Sequence, residues 1–349
     1  MTPIIGTYWK TELCKALARS KAHGAVVITD STVQGLYGVD MLRIVKQCIP
    51  NAFLLTFPAG ERSKNQSTVT RLQHGMLRHG CGRDTVVVAL GGGVVGDVAG
   101  FVAATYHRGI PVIQVPTTLL AMVDSSIGGK TGIDTAYGKN TIGAFWQPLA
   151  VCMNVAYLAT LDEAHIRSGL LEAVKIFIAR SPSTIALAQR FYRTRSQTDA
   201  VRVVRRAVAL KKDIVQRDER ERGERMVLNV GHTIGHALEQ LSGYRLLHGM
   251  AVGLGMIVET RIAELMGVMP SGEQRAIETI LEEFGVEKKV LNKFSVQGVL
   301  AATRADKKNR NGVVRYVLLK RRGVVYAPRG IFAQPVPDAI VKEAIQFFS

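Results

Sequence analysis

Short apolar runs alternate with segments of helical periodicity up to residue 116, and this alternation restricts the fold more than any other feature of the chain. The apolar runs are rich in β-branched residues and have the length of buried strands. We predict strands at 25–29, 53–57, 85–90 and 111–115, and helices near 33–48, 66–79 and 94–105. Strands that alternate with helices predict a parallel, doubly wound α/β sheet.

The pattern changes near residue 160, and the periodicity from there to about residue 305 is almost entirely helical. A short β-like pair, VVRYVLL and GVVYAPR, then precedes a last helix near 336–348. We therefore predict an α/β domain over 1–160 and a helical domain over 161–349, with the join near Leu158–Asp162.

Hydrophobic residues make up 47% of the 349-residue chain and charged residues 21%, which is typical of a globular protein with a large core. No apolar run is long enough for a bilayer, and the N-terminus lacks the pattern of a signal peptide. We therefore expect a cytoplasmic protein without a membrane partner. Because Cys14, Cys48, Cys81 and Cys152 form no CxxC pair, we expect reduced and mostly buried thiols.

The formal charge of +17 admits two interpretations, a nucleic-acid surface or a basic surface that suits an anionic small molecule. Lysine and arginine are spread over most of the chain. The densest basic runs, VRVVRRAVALKK and LLKRRG, lack the interleaved aromatic residues that stack on bases. The sequence therefore favours an anionic substrate, and we expect no nucleic-acid partner.

A glycine-rich turn, GGGVVGD from Gly91 to Asp97, separates the strongest predicted strand from the helix that follows it. Glycines at such a turn let the backbone approach a pyrophosphate, whose charge the helix N-terminus favours. The spacing is neither GxGxxG nor a P-loop, so this run alone leaves dinucleotide binding open. A second run, from Asp124 to Asn140, holds many glycines and lysines without a clear period, and we predict a phosphate-binding loop there.

The segment RMVLNVGHTIGHALEQLSGYRLLH, from Arg225 to His248, carries the most unusual polar pattern in the chain. A continuous helix would place Arg225, Asn229, His232 and His236 on one stripe, because they are four, three and four residues apart. The remaining faces are apolar, so the stripe predicts the wall of a polar site. His248 follows a Ser-Gly-Tyr turn and opens the next apolar segment.

Two histidines at H-x3-H spacing can share one metal ion, and Glu172 is the best candidate for a carboxylate ligand. The HExxH form is absent because Thr233 follows His232, so the general base of a zinc peptidase is missing. Spacing does not decide which of the histidines would bind the metal. Lys175 lies three residues after Glu172 in an apolar segment, so this pair is also predicted to face a site.

Several motifs together carry a resemblance to a known family. The segments GGGVVGDVAGFVAATYHRG, QVPTTLLAMVDSSIGGKTGID, GKNTIGAFWQP, DERERGERMVLNVGHTIGHALE and LHGMAVGLGM resemble the 3-dehydroquinate synthase family of the sugar phosphate cyclases, in its order and spacing. The resemblance runs from about residue 25 to the C-terminus.

The resemblance implies a homodimeric enzyme with a Rossmann-like N-terminal domain for NAD and an all-helical C-terminal domain for one divalent metal, zinc or cobalt. The substrate would be 3-deoxy-D-arabino-heptulosonate 7-phosphate, and the products 3-dehydroquinate and phosphate. In the family, transient oxidation by NAD acidifies a C–H bond, phosphate is eliminated, the ketone is reduced again, and an aldol step closes the ring. An enzyme that acts on sedoheptulose 7-phosphate, or a metal-dependent polyol dehydrogenase, is the alternative.

The resemblance also assigns site residues. The metal ligands fall on Glu172, His232 and His248, so His236 becomes a residue that contacts the substrate. Catalytic roles fall on Lys130, Lys175, Lys211, Arg225, Asn229 and His236. Substrate-binding roles fall on Arg108, Asn140 and one lysine of Asp306-Lys307-Lys308, of which Lys307 is favoured. NAD contacts fall on Asp30, Glu61, Lys64, Gly92, Gly93, Asp97, Thr117, Thr118, Asp124, Lys139 and Thr160.

Three departures from the family pattern stand out. The chain has LEAVK where the family usually has AEVIK, which keeps Glu172 and Lys175 but changes their packing. It has His248-Gly249-Met250 where the family usually has HGE, which removes a carboxylate beside a predicted ligand. The N-terminus is shorter than usual and lacks an opening β-hairpin, which puts the structure of the sheet's edge in question.

Overall fold

The computed structural model describes residues 3–6, 8–304 and 313–348. The chain divides into two compact units, Met1–Leu161 and Asp162–Ser349. Across the described residues, none of the helices combines the length and the apolar content that crossing a bilayer would need.

The first unit is built on a parallel sheet of six strands, as the alternating pattern predicted. Its strand order is β1-β8-β5-β4-β2-β3. The strands are β1 (Ile4–Ile5), β2 (Gly24–Asp30), β3 (Ala52–Phe57), β4 (Thr85–Gly91), β5 (Val112–Pro116) and β8 (Ala150–Met153). Two further strands, β6 (Lys130–Thr135) and β7 (Gly138–Phe145), form a separate antiparallel hairpin.

The helices of this unit are α1 (Trp9–Ser20), α2 (Ser31–Val33), α3 (Val39–Cys48), α4 (Gln66–Arg78) and α5 (Gly93–Thr105). The central strand β4 is buried along its whole length, as expected for a parallel strand with both faces covered. Helix α5 is apolar on most of its surface and joins the same core through Val95, Val98 and Val102. This packing fixes the glycine-rich turn between β4 and α5.

The prediction of a loop between Asp124 and Asn140 was wrong, because most of this stretch forms the β6–β7 hairpin. The two strands approach closely at the pair Gly132 and Gly143. A Cβ atom on Gly143 would lie only 2.2 Å from the carbonyl oxygen of Thr131, so glycine is required there. The same glycines obscure the alternating pattern from which a strand is recognised.

The N-terminal region adds an edge strand and a disulfide to the first unit. The edge strand is β1, in which Ile4 and Ile5 pair in parallel with Cys152 and Met153. The expectation of four reduced and mostly buried thiols was wrong, because Cys14 on α1 is joined to Cys48 on α3 and only Cys152 is buried. Packing of α1 against α3 brings the first pair together, although 34 positions separate them in sequence.

The second unit is mainly helical, with α6 (Glu163–Arg180), α7 (Ile185–Thr194), α8 (Gln197–Arg217), α9 (His232–Leu241), α10 (His248–Leu265), α11 (Glu273–Glu283), α12 (Val296–Arg304) and α13 (Asp338–Gln346). It also contains short strands in the region where the sequence predicted a β-like pair before the last helix. Short strands β9 (Arg315–Tyr316), β10 (Leu319–Arg321), β11 (Val324–Val325) and β12 (Gln334–Pro335) pair as β10 with β11 and β9 with β12. Valine and tyrosine are enriched in this part of the chain, and both favour extended backbone.

The prediction of one continuous helix from Arg225 to His236 was wrong. Residues Glu224–Asn229 form a 3₁₀ turn, and α9 begins only at His232. The break lies at Gly231, whose φ of 78° is in the left-handed region. A Cβ atom at this position would lie 2.6 Å from the carbonyl oxygen of Val252 on α10, so the close approach of α10 requires the glycine.

The amino end of α9 is capped by a carboxylate from α10. Glu259, which is 1% exposed, accepts hydrogen bonds from the amides of Gly231 (2.7 Å) and Ile234 (3.1 Å). These amides belong to the group that a helix start leaves without intrahelical partners, and Gly231 has no side chain with which to cap them. Glu259 therefore fixes how α9 is placed on α10.

We predict that Gly255→Ala destabilises the protein by about 1–3 kcal/mol, the usual cost of overpacking. Its Cβ atom would lie 2.0 Å from the carbonyl oxygen of Gly231, a backbone atom that cannot move aside. Gly298→Ala, inside α12, is the control because its nearest neighbour is the flexible Ser295 hydroxyl. Equilibrium unfolding should show Gly298→Ala near or above wild type, and equal losses in both variants would refute the packing argument.

Candidate metal and substrate site

Three predicted metal ligands converge in the second unit. Glu172 on α6, His232 on α9 and His248 on α10 each place a ligand atom within 4.8 Å of the other two. The Nε2 atom of His248 lies 3.6 Å from Oε1 of Glu172. One ligand thus comes from each of three helices, so their mutual packing determines the geometry of the group.

The two histidines make hydrogen bonds at Nδ1 to groups that only accept. Nδ1 of His232 lies 3.1 Å from the carbonyl oxygen of Val230, and Nδ1 of His248 lies 3.0 Å from Oε2 of Glu239. A carbonyl oxygen and a carboxylate only accept hydrogen bonds, so both Nδ1 atoms carry the hydrogen. In the neutral form of each ring, Nε2 then carries the lone pair that a divalent metal binds.

Glu172 supplies the third donor. Its side chain is fully buried, and Oε2 accepts a hydrogen bond of 2.6 Å from the ammonium group of Lys175. Within the described part of the chain Oε1 is a buried oxygen without a hydrogen-bond partner. Leaving such an atom unsatisfied is costly, and a metal ion would satisfy it. One carboxylate oxygen and two imidazoles fit zinc or cobalt.

A second group of possible ligands overlaps the first. His236, Glu239 and His248 also place ligand atoms within 4.8 Å of one another. The ring centroid of His232 lies 5.3 Å from each of the other two, and those of His236 and His248 are 5.9 Å apart. The choice between His232 and His236, which spacing left open, thus becomes a choice between two groups that share His248.

The pKa of His248 depends on both its burial and the two glutamates beside it. Burial opposes its protonation, but the hydrogen bond to Glu239 and the charge of Glu172 together raise its pKa above the ordinary value. A bound cation would reverse this preference by competing for the same lone pair.

Three predicted catalytic residues of the second unit are buried cations. Lys175, Lys211 and Arg225 are only 2%, 6% and 2% exposed. The guanidinium group of Arg225 donates to the carbonyl oxygen of Glu219, and Nδ2 of Asn229 donates to Oε1 of Glu221 at 2.6 Å. The loop before the 3₁₀ turn therefore contacts both residues.

Asp218 organises that loop and was missed by the sequence analysis. Its carboxylate accepts hydrogen bonds from the amides of Arg222 (2.9 Å), Gly223 (2.7 Å) and Arg225 (3.0 Å). Burial alone would raise its pKa, but these amide bonds outweigh burial and lower it. Asp218 thereby fixes the backbone that presents Arg225. No local sequence pattern indicates this role, because Asp218 acts through backbone amides 4, 5 and 7 positions further on.

Four of the predicted NAD residues form a polar network in the first unit. The ammonium group of Lys64, which is 4% exposed, donates to Asp97 (2.6 Å) and to Oδ1 of Asn140 (2.5 Å). Burial lowers the pKa of Lys64, but the carboxylates of Asp97 and Glu61 outweigh it and raise the pKa. Lys139 lies 3.4 Å from Glu61 and extends the network.

The tip of the hairpin places Asn140 in this network. Asn140 has a φ of 51°, and its amide donates to Oδ1 of Asp134 at 2.8 Å. The amide of Asp134 in turn donates to the carbonyl oxygen of Lys64 at 2.8 Å. Asp134 therefore supports both Asn140 and Lys64, although it was not among the predicted site residues.

The glycine-rich turn lies beside other predicted NAD residues. Gly92 precedes α5, and a Cβ atom there would lie 3.0 Å from Cγ2 of Thr118. The amide of Thr117 donates to the carbonyl oxygen of Gly91 at 2.9 Å. Gly93 begins α5. The turn and the segment after β5 thus form one surface at the carboxyl edge of the sheet, the usual place for a dinucleotide.

The remaining predicted residues lie at several separate places in the chain. Asp30 caps α2 by accepting from the amide of Val33 at 2.9 Å, and the hydroxyl of Thr160 lies 2.5 Å from that of Tyr37. Asp124 lies in a π-helical turn, whereas Arg108 and Lys130 are exposed. Lys307 and Lys308 lie outside the described residues.

Solved structures with the same fold define the class of protein. The crystal structure of 2-deoxy-scyllo-inosose synthase complexed with carbaglucose-6-phosphate, NAD+ and Co2+ matches with a TM-score of 0.91 and 26% identity, and the match covers 99% of this chain and 96% of that one. ValA (2-epi-5-epi-valiolone synthase) from Streptomyces hygroscopicus subsp. jinggangensis 5008, with NAD+ and Zn2+ bound, matches with a TM-score of 0.86 and 26% identity over 100% and 97% of the chains.

The fold and the converging residues thus make this chain a sugar phosphate cyclase. Family models described as 3-dehydroquinate synthase N-terminal and C-terminal match residues 54–168 and 168–309. The 3-dehydroquinate synthase of Pelobacter propionicus is 42% identical over 306 residues, which are 86% of this chain and 85% of the relative. The chain therefore belongs to the 3-dehydroquinate synthase family, as its motifs indicated.

We predict that Asp218→Asn removes a pH-dependent part of the stability. Because the folded pKa of Asp218 is below its ordinary value of 3.8, the carboxylate stabilises the fold fully above that value and ceases to do so as the pH falls through the lowered pKa. Wild type should exceed the variant by about 1–2 kcal/mol at neutral pH, and the difference should vanish in acid.

Urea unfolding at a series of pH values checks this prediction for Asp218. The control is Asp213→Asn on α8, an exposed carboxylate whose ion pair with Arg217 should contribute little. A difference between wild type and Asp218→Asn that stays constant from neutral to acidic pH would contradict the role assigned to the charge.

Proposed function

We propose that the protein is a 3-dehydroquinate synthase, a lyase that converts 3-deoxy-D-arabino-heptulosonate 7-phosphate to 3-dehydroquinate and phosphate. Its place in the shikimate pathway follows from this reaction. The observation that carries the proposal is the group of Glu172, His232 and His248, in a chain of this family. The Oε1 atom of Glu172, which has no hydrogen-bond partner among the described residues, supports a cation there.

Two bound groups are implied, and residues of the chain suit both. When bound, NAD accepts and returns a hydride, and a divalent metal polarises the alcohol and ketone oxygens of the substrate. We assign the metal to Glu172, His232 and His248. We assign NAD to the first unit, at the glycine-rich turn and the network of Lys64, Asp97, Glu61 and Lys139. The neighbouring cyclases were crystallised with NAD+ and with Co2+ or Zn2+.

The buried cations account for recognition of an anionic substrate. Lys175 and Lys211 lie in the second unit with almost no exposure, where a charge interacts strongly with a ligand because water is excluded. We assign them to the phosphate and hydroxyl groups of the substrate, together with Lys130, Arg108, Asn140 and one lysine of the 307–308 pair. We assign His236 to exchange of a proton with a substrate hydroxyl, since its ring adjoins those of His232 and His248.

Arg225 separates this activity from that of cyclases whose substrate is sedoheptulose 7-phosphate. A guanidinium group can hold a carboxylate through two parallel hydrogen bonds, and only the heptulosonate carries a carboxylate. Arg225 is 2% exposed, and its backbone is fixed by Asp218. Asn229, at the end of the same 3₁₀ turn, is assigned to the same substrate.

Two finer proposals concern the protein in the cell. We propose a cytoplasmic homodimer, as the family resemblance implies. The formal charge of +17 suits attraction of a substrate that carries both phosphate and carboxylate. Sedimentation at several protein concentrations would distinguish a dimer from a monomer.

We predict that the purified protein, given NAD and Co2+ or Zn2+, releases one phosphate for each heptulosonate phosphate consumed. NADH should not accumulate, because the reaction returns the hydride. Phosphate release and absorbance at the NADH band, followed together, check this outcome. Steady accumulation of NADH would instead show a polyol dehydrogenase, and turnover of sedoheptulose 7-phosphate alone would show a different cyclase.

We predict that Arg225→Ala lowers kcat/KM by about a hundredfold or more, because loss of a buried charge partner costs about 2–5 kcal/mol. Arg220→Ala, which removes an exposed arginine of the same loop, should leave the rate near wild type. Thermal unfolding of both variants shows whether the fold persists. An unchanged rate in a folded Arg225→Ala protein would break the carboxylate assignment.

A further inference from the structure

Glu239 lies outside the predicted site, yet its side chain contacts one of the metal ligands. It is 3% exposed on α9, and its Oε2 atom is 3.0 Å from Nδ1 of His248. It ends the segment DERERGERMVLNVGHTIGHALE, but no role was predicted for it, and buried glutamates are rare unless they are paired. Glu239 could therefore either bind the metal itself or orient His248, which binds it.

The two overlapping ligand groups make this distinction concrete. Glu172, His232 and His248 form one group, and His236, Glu239 and His248 form the other. His248 belongs to both, but a neutral imidazole has a single lone pair to give to a metal. The hydrogen bond at one ring nitrogen determines which nitrogen is free. The partner of Nδ1 therefore decides which group is completed.

We propose that Glu239 is a positioning residue that directs the metal to Glu172 and His232. By accepting the Nδ1 hydrogen of His248, its carboxylate leaves the lone pair on Nε2. That atom lies 3.6 Å from Oε1 of Glu172, which has no hydrogen-bond partner among the described residues. The same bond engages Nδ1 of His248 and Oε2 of Glu239 with each other, so neither is available to a metal in the second group. This inference rests on the metal site of the proposed function.

The surroundings of His248 support this role. The amide of the next residue, Gly249, donates to the hydroxyl of Ser168 at 3.0 Å, so the backbone of His248 is tied to α6, the helix that carries Glu172. Glu239 then fixes the ring about that anchored backbone. Position 250 is methionine, so it offers no carboxylate to His248, and Glu239 supplies one. A carboxylate on Nδ1 also makes the opposite nitrogen a stronger ligand.

Metal affinity tests the proposal without relying on activity. Apo wild type, Glu239→Ala and Glu239→Gln are titrated with Co2+ or Zn2+ in competition with a chromophoric chelator at fixed pH. We expect Glu239→Ala to bind about 10–100-fold more weakly, the usual effect of removing such a partner. Glu239→Gln should fall between the two, since its amide oxygen still accepts the Nδ1 hydrogen. In both variants the visible spectrum of bound Co2+ should stay close to that of wild type, because the metal ligands are the same.

Glu278→Ala is the matched control, because Glu278 is another buried carboxylate of the second unit, at 2% exposure, and its partners are Gln274, Arg275 and Lys288. It should lose thermal stability as an apo protein but keep the metal affinity of wild type. If Glu239→Ala does not fold, Glu239→Gln is compared with wild type instead, and it should also bind the metal more weakly.

Three results would overturn the proposal. The first is wild-type affinity in Glu239→Ala, or in Glu239→Gln where the alanine variant does not fold. The second is an equal loss of affinity in Glu278→Ala. The third is loss of all binding in Glu239→Gln while Glu172→Gln still binds, which would make Glu239 a ligand. Failure of the proposed function is distinct, because wild type itself would then neither bind the metal tightly nor release phosphate.

Discussion

The close packing of α9 on α10 is the contact on which the proposed metal site depends. Gly231 and Gly255 let the two backbones approach to a distance that no side chain would permit, and Glu259 caps α9 across the same junction. His232 is the first residue of α9 and His248 the first of α10. Both histidines therefore leave helix starts whose relative position is fixed by backbone contacts rather than by flexible side chains.

The proposed site buries several charged side chains in the second unit, and their burial lowers the stability of the fold. Glu172, Lys175 and Arg225 are each 2% exposed, and removing a charge from water is unfavourable unless partners satisfy it. Glu172 and Lys175 satisfy each other only in part, because Oε1 of Glu172 has no hydrogen-bond partner among the described residues. This arrangement sacrifices some stability for a site whose charges are held in place before a ligand binds.

Much of the fold could be predicted because its strands are apolar runs separated by helical periods. The β4–α5 turn and the start of α10 at His248 lie where the pattern placed them. The β6–β7 hairpin could not be predicted, since Gly132 and Gly143 serve a backbone approach rather than an alternating pattern. The bond between Cys14 and Cys48 depends on packing of two helices that sequence spacing does not reveal.

The residues of the site also divide into those that the sequence could predict and those that it could not. The family resemblance predicted Glu172, His232 and His248 as metal ligands, and the fold brings their ligand atoms within 4.8 Å of one another. The residues that support them were missed, because each acts through a partner distant in sequence or through backbone amides. Glu259 acts on amides 28 and 25 positions away, and Asp218 acts on the turn that follows it. No local pattern marks such roles, which become visible only when helices are packed.

The position of the metal is the most direct test of this account. Anomalous diffraction from crystals of the Co2+-loaded protein would locate the ion without reference to activity. We expect one strong peak at about 2.0–2.2 Å from Nε2 of His232, Nε2 of His248 and Oε1 of Glu172. A peak bound instead by His236 and Glu239, with Nε2 of His232 left unbound, would contradict it.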